Sequence, residues 1–369
     1  MKKLLPHIIV ALALLPGVVF AESRAANTGS VYTMDNGLAG NNVLAFHRSA
    51  DGSLTFAGAF LTGGTGTGTG LGNQGGLILS RDGRWLFACN AGSNEISVFA
   101  VTPRGLALSD KVNSEGQRPI SLTMRNGLLY VLNAGGLAGG TDNITAFHFH
   151  SGSLLHIPGS ARALSGDNTD PAQVSFTSDG DVLVVTEKAT GIIDTFTVGD
   201  DGLVTGQRTF SSPVPTPFGF AAGRTNRIFV SEANGGAPNG SSVSSYEVSD
   251  DGELVAISSA VPTQQTAACW VVLTRNERFA YDSNTGSGTI SGYRVAPNGT
   301  LQLLNGDGVT GVTGPGPIDL AMSRDSHYLY SLNSGDGTIS AFRVNADGSL
   351  DPIPGASGIL TSGNGLAAQ

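Results

Sequence analysis

The sequence predicts an all-β chain folded as a seven-bladed β-propeller of four-stranded antiparallel blades. Three observations carry that expectation. A strand-and-turn unit recurs seven times, and its second strands end at Asn36, Asn90, Asn133, Glu187, Glu232, Asn284 and Asn333. These ends are 54, 43, 54, 45, 52 and 49 residues apart, where a period of about 40–50 residues with four short strands suits a propeller blade and exceeds a solenoid coil. The two ends of the chain are complementary: the first unit begins at its second strand, Val31 to Asn36, and Gly363 to Ala368 resembles a first strand with nothing after it. Pairing the N- and C-terminal strands would close blade one and remove two exposed strand edges.

Residues 1–21 read as a secretory signal peptide. Lys2 and Lys3 precede the apolar run Ile8 to Phe20, and Val19-Phe20-Ala21 places small residues at −3 and −1 of a cleavage site before Glu22. The run is short and broken by Pro16 and Gly17, unlike a membrane anchor. Residues 22–29 are expected to be a linker and 30–369 the propeller, periplasmic or secreted and monomeric. Loss of the leader makes the formal net charge of −9 two units more negative and leaves Lys111 and Lys188 as the lysines. Such a chain has no basic run for nucleic acid or an anionic membrane, so a small-molecule ligand is the expected partner. Charged residues are 13% and glycines number 53, a balance that many tight turns and buried blade interfaces explain.

The unit is clearest near the C-terminus. Gly316-Pro317-Ile318-Asp319-Leu320 opens it, Ser323-Arg324-Asp325-Ser326 turns the chain, Tyr328 to Asn333 and Gly337 to Val344 form two strands, and Ala346-Asp347-Gly348 turns into the last. Asp-Gly turns such as Asp201-Gly202 and Asp251-Gly252 are hairpin chemistry, with glycine accepting positive φ. Cys89 and Cys269 fall in blades three steps apart, beyond the roughly 7 Å reach of a disulfide, so both are expected to be free thiols.

One face of the disc would carry the turns after strands one and three, all short. The other would carry the loops before strand one and after strand two, which are long at Thr62 to Gly72, Gly135 to Gly140, Gly235 to Ser242 and Gly306 to Gly316. Loops on a rigid scaffold are where binding residues gather, so this loop-rich face is the expected working face. The residue two after the strand-one proline position, at the channel mouth, is Gly76, Ser121, Gln173, Gly219, Trp270 and Asp319 in successive blades. Glu187 and Glu232 stand where other blades have asparagine. They are expected catalytic carboxylates, with Glu187 as general base, against the plainer reading that they cap backbone amides or pair with Arg118, Arg224 or Lys188. Arg118, Gln173, Lys188, Trp270 and Asp319 are expected substrate-binding residues, Trp270 as an apolar platform. No cofactor and no protein metal site is expected; His148 and His150 share one strand face without a third ligand. A divalent cation held by Glu187, Glu232 and channel asparagines is the third and weakest reading.

The repeat core, with Arg-Pro or Gly-Pro at strand one, Ser-x-Asp-Gly at the turn and an aromatic-rich strand two ending in Asn, resembles the lactonase family of β-propellers, which includes bacterial 6-phosphogluconolactonase and fungal carboxymuconate cyclase. The stretches that carry it are Gln117–Asn133, Pro171–Val198, Pro217–Ser231 and Gly316–Val344. The resemblance implies hydrolysis of a lactone or related ester of a small molecule in the central channel. Family members with assigned activity carry Pro-x-His histidines at the channel mouth beside arginines and a glutamate. Here the matching positions are Gln173, Trp270 and Asp319; Glu187 and Glu232 match the acidic component and Arg118 a basic one. The alternative is a non-catalytic propeller that binds a small molecule or protein on its loop-rich face.

Overall fold

The structure, a computed structural model, describes residues 29–369, so the expected leader and most of the expected linker lie outside the described residues. Seven antiparallel sheets form seven blades. The inner strands of blades two to seven are Leu77–Leu79, Pro119–Arg125, Pro171–Phe176, Pro217–Ala222, Ala268–Leu273 and Pro317–Met322. Blade one takes its inner strand from Asn364–Ala368, which pairs antiparallel with Gly29–Met34, Val31 opposite Ala368 and Thr33 opposite Leu366. The expected closure is thereby borne out.

Five second strands end where the sequence expects, Trp85–Asn90, Val182–Glu187, Arg227–Glu232, Phe279–Asn284 and Tyr328–Asn333; that of blade one ends at Met34, before the expected Asn36, and that of blade three at Ala134, just past Asn133. They are buried on both faces, and so read as nearly continuous apolar runs such as Leu86-Phe87-Ala88-Cys89. Each blade interface is an apolar core. Phe229 and Val243 of blade five, for example, pack on Tyr293, Val295 and Leu301 of blade six.

Tyrosine hydroxyls stitch neighbouring blades. Tyr130 donates to the carbonyl oxygen of Gly202 (2.6 Å), Tyr281 to Gly348 (2.9 Å) and Tyr330 to Gly52 (2.8 Å). A buried phenol needs such a partner, and the Asp-Gly turn of the next blade supplies it. Gly52 and Gly348 have φ of 89° and 94°, and a Cβ at either would strike an aromatic ring of the preceding blade, Tyr328 or Phe279. Cys89 and Cys269 are free and buried, as expected. No helix among the described residues is long and apolar enough to cross a membrane.

Candidate functional site

An inner strand of a blade has one edge paired and one edge facing the channel, where its backbone groups need partners. The channel-mouth residues provide them to the next blade. The Val174 N–H donates to Ser121 Oγ (3.1 Å) and the Phe176 N–H to Thr123 Oγ1 (3.2 Å). Gln173 accepts from the Phe220 N–H (2.6 Å) and donates to the Phe220 carbonyl oxygen (3.0 Å). Asp319 accepts from the N–H groups of Leu320 (2.8 Å) and Leu366; burial holds its carboxyl well above the usual carboxylate range.

Blade five has glycine at this position, and the cap of blade six comes from elsewhere. Gln74 donates through Nε2 to the Val271 carbonyl oxygen (2.9 Å) and accepts the Val271 N–H at Oε1 (3.2 Å). Its side chain passes where a Cβ on Gly219 would lie. Gln74 belongs to the long segment before blade two, which crosses the loop-rich mouth of the channel as a plug. Gly72 accepts from Lys188 Nζ (2.5 Å), the Asn73 carbonyl oxygen from Trp270 Nε1 (2.8 Å), and Asn73 Oδ1 from Asn364 Nδ2 (2.7 Å). Asn73 Nδ2 donates to the Ile120 carbonyl oxygen, and the Gln74 N–H to that of Ala172 (3.1 Å). The plug thus contacts blades one, three, four and six. Beneath it lies a cavity of about 370 Å³ running from Gln74, Gln173 and Asp319 to Leu79, Met124 and Ala368, the turn ends of the inner strands.

The plug decides what the expected site residues do. Trp270 is 3% exposed, its ring 4.9 Å from that of Phe218, and the plug covers the platform expected of it. Gln173 and Asp319 lie below the plug as edge caps. Lys188 binds the plug from the loop side; its ammonium also reaches the Pro171 carbonyl oxygen (3.2 Å), Asp170 Oδ1 (3.2 Å) and, at 5.1 Å, the Phe218 ring. Burial lowers its pKa from the ordinary lysine value, against the opposing pull of Asp170.

Glu187 and Glu232 are fully buried at two different blade interfaces, so the structure does not bring them together. Their position is a repeat-wide clamp on the connector arriving from the preceding blade. Where the connector offers a carbonyl, the clamp is asparagine: Asn90 donates to Ser97 Oγ (2.8 Å), which donates to the Thr62 carbonyl oxygen (2.8 Å), and Asn133 and Thr145 hold that of Ser114. Where it offers donors, the clamp is an acceptor. Ser165 gives Glu187 its N–H (3.0 Å) and hydroxyl (2.5 Å), and Thr190 adds a third bond (2.6 Å). Glu232 takes its bond inside its own blade instead, Oε2 accepting from the hydroxyl of Ser242 on the third strand. Asp194 stands where blades two, six and seven have a serine and blade three has Thr145; burial first, then Glu187, pushes its carboxyl up to about 7. Burial also pushes Glu232 up to about 7.

Arg118 and Asp170 occupy the same register in adjacent blades, immediately before the strand-one proline, each in the left-handed region with φ of 55° and 47°. Both therefore stand at the loop-rich face beside Lys188. The Arg118 Nε is buried without an acceptor, and its charge works against that of Lys188. Arg118, Lys188 and Asp170 are the polar cluster that the structure assembles here, over Phe218. Asp170 is the member the sequence reading missed; the signal was available as its equivalence with Arg118 ahead of a proline. Asn73 and Gln74 were missed too, as the polar pair inside a glycine tract. Among the described residues no group of three or more His, Cys, Asp or Glu side chains is arranged to hold a metal.

Residues 39–153 match the family described as "Lactonase, 7-bladed beta-propeller", which bears out the resemblance read from the repeat. Among solved structures the chain is similar to a candidate 6-phosphogluconolactonase of Bacteroides fragilis, at 19% identity and a TM-score of 0.65 over 93% of this chain and 98% of that one. It is similar also to the periplasmic gluconolactonase PpgL of Pseudomonas aeruginosa, at 14% identity and a TM-score of 0.70 over 92% and 99%. A protein from Lactobacillus plantarum gives 15% identity and a TM-score of 0.71 over 92% and 99%. No curated protein sequence matches the chain. At these identities the structural likeness carries the fold.

Proposed function

We propose that this chain, a seven-bladed propeller whose residues 39–153 match the lactonase family, is an exported enzyme that hydrolyses a lactone or related ester of a small molecule on its loop-rich face. The observation that carries the reading is the Arg118 guanidinium, with its Nε lacking an acceptor, beside the Lys188–Asp170 pair. The reaction sits above the plug, because the plug closes the channel at this face. In this reading Asp170, whose side chain is 36% exposed, takes a proton from water as the water oxygen attacks the ring carbonyl carbon. Arg118 holds the oxyanion that forms, and Lys188 orients Asp170. The ring C–O bond then breaks, the proton passes to the departing alkoxide oxygen, and a hydroxy acid leaves. Glu187 and Glu232, the bases expected from the sequence, are reached by no solvent, which makes Glu187→Gln a control.

A panel of aldonolactones followed by pH-stat, with and without chelator, tests this. Asp170→Asn should lower the rate by roughly 10²–10⁴-fold, the usual loss on removing a general base, and Arg118→Gln should lower it too, while Glu187→Gln retains it. Full activity in both Asp170→Asn and Arg118→Gln would sink the reading. The complete burial of Glu187 and Glu232 favours a second reading, a propeller that binds a small molecule at Arg118 without turning it over; it is supported if no lactone is consumed but binding is lost in Arg118→Gln. For export, the mass of the protein recovered from a periplasmic fraction should begin at Glu22.

A further inference from the structure

We propose that the opposite face, where the short turns lie, carries between blades two and three a binding site for a planar aromatic carboxylate, with Trp85 and Phe149 holding the ring and Arg81 the carboxylate. The proposal is independent of the loop-face reading. It begins from two departures from the repeat at this one interface. The residue that closes the third strand is valine in five blades, Val101, Val198, Val248, Val295 and Val344, each donating its N–H to the residue just before its own second strand; in blade three the same bond is made by Phe149, to the Gly127 carbonyl oxygen (2.7 Å). Phe87 in turn stands at the second-strand position where blades three, six and seven have Tyr130, Tyr281 and Tyr330, whose hydroxyls bridge to the next blade. Here no hydroxyl bridges. The Phe149 ring instead meets Trp85 edge-on at 5.3 Å and Phe87 at 5.0 Å.

At that corner lies a surface cavity of about 750 Å³ whose lining includes Arg81, Trp85, Met124, Phe149 and His150. Trp85, Met124 and Phe149 are half-buried, so ring and thioether surface is left open to the cavity. The remaining charged side chains of the lining, Asp82 and Arg84, are spent on each other: Asp82 Oδ2 accepts from Arg84 Nε (2.6 Å), and Oδ1 from the Arg84 N–H (3.1 Å) and Ser80 Oγ (2.6 Å). Ser80 Oγ also accepts the Trp85 N–H (3.0 Å), which ties the turn that presents Arg81 to the strand that presents Trp85. The Arg81 guanidinium, the Trp85 indole N–H and the His150 ring have no hydrogen-bond or ion-pair partner among the described residues. The cavity therefore combines aromatic walls with unspent donors and one uncompensated positive charge. Aromatic side chains receive a flat ring by stacking or edge contact, and the planar fork of a guanidinium matches the two oxygens of a carboxylate. A ligand that carries both uses everything the site offers.

Tryptophan fluorescence of the full chain, titrated with benzoate, tests the proposal. The chain has two tryptophans, and Trp270 is buried under the plug, so benzoate should change the emission of Trp85 saturably, with millimolar or tighter affinity. Acetate, which lacks the ring, and benzyl alcohol, which lacks the charge, should bind at least about tenfold more weakly. Arg81→Gln, which breaks no hydrogen bond or ion pair of the guanidinium and should melt with the parent protein, should weaken benzoate about tenfold, the value of one charge-assisted hydrogen bond. In Trp85→Phe the emission that remains, from Trp270, should not respond. Arg118→Gln on the other face should bind as the parent does. No saturable change with benzoate, benzyl alcohol bound as tightly as benzoate, parental affinity in Arg81→Gln, a Trp270 response in Trp85→Phe, or loss of binding in Arg118→Gln would each overturn it.

Discussion

Gln74 and Val271 are 197 residues apart, and the side chain of the first satisfies both backbone groups of the second, at 2.9 and 3.2 Å. Three of the seven inner-strand edges show how one blade caps the next: Ser121, Gln173 and Asp319 each cap the following blade. Blade six takes its cap from the plug because blade five offers Gly219. The plug residue fills the place of the missing side chain, and filling it draws the segment across the channel. One glycine is thus tied to the closure of one face of the molecule.

Gln74→Ala should cost about 2 kcal/mol by leaving two shielded backbone groups without partners. Gly219→Ala should also destabilise, since its methyl group would meet Gln74 Oε1 and the Cys269 carbonyl oxygen. Combined, the two should cost less than their sum, because Gln74→Ala vacates part of the space that the methyl needs. Urea denaturation of the cycle reads this directly; strict additivity would contradict the shared space.

Deleting Gly363 to Gln369 removes the inner strand of blade one together with the bonds from Thr33 Oγ1 to the Gly365 carbonyl oxygen (2.7 Å) and from Asn364 to Asn73 (2.7 Å). The cost should be several kcal/mol, from unpaired backbone and a plug with one anchor fewer. An unchanged melting temperature would argue against closure.

Stability should fall as pH rises from about 4 to about 7. Asp194 and Glu232 are each pushed up to about 7 by burial, so the folded chain keeps protons that the unfolded chain releases near the ordinary carboxylate value. The stabilisation is complete below that ordinary value and is lost as pH passes through the raised one, up to about 4 kcal/mol for a group shifted by two to three units. Glu232→Gln, which keeps an acceptor for the Ser242 hydroxyl, should flatten the melting-temperature profile and raise its alkaline end. A profile identical to that of the parent would show that Glu232 does not titrate in this window.

Both thiols should be silent in the folded protein. Burial pushes Cys269 up to about 12 and Cys89 higher still, so little thiolate forms and reagents have no access. Thiol titration should find none in the native protein and, under denaturing non-reducing conditions, the two free cysteines. Two thiols titrating without denaturant would mean that the second strand of blade two and the first of blade six are open to solvent.

The sequence by itself determined the blade count, most of the second-strand ends, the closure of blade one by its own termini and the separation of the two cysteines. Each follows from something local and repeated: apolar runs of strand length, Asp-Gly turns, and a period that sets which blade a residue enters. It also placed Gln173, Trp270 and Asp319 correctly in the first strands. Only the tertiary structure decided which way the functional candidates face. In a blade the first strand stands between the second and the axis, so Glu187 and Glu232 at second-strand ends are buried away from the channel, Glu187 clamping the connector at Ser165 and Glu232 held by Ser242 of its own blade. What fills the channel was settled by contacts between residues far apart in the chain, Asn73 with Asn364 and Gln74 with Val271. No local pattern encodes these, because a glycine-rich segment is compatible with many paths, and only the closed ring leaves it one that pairs its polar groups.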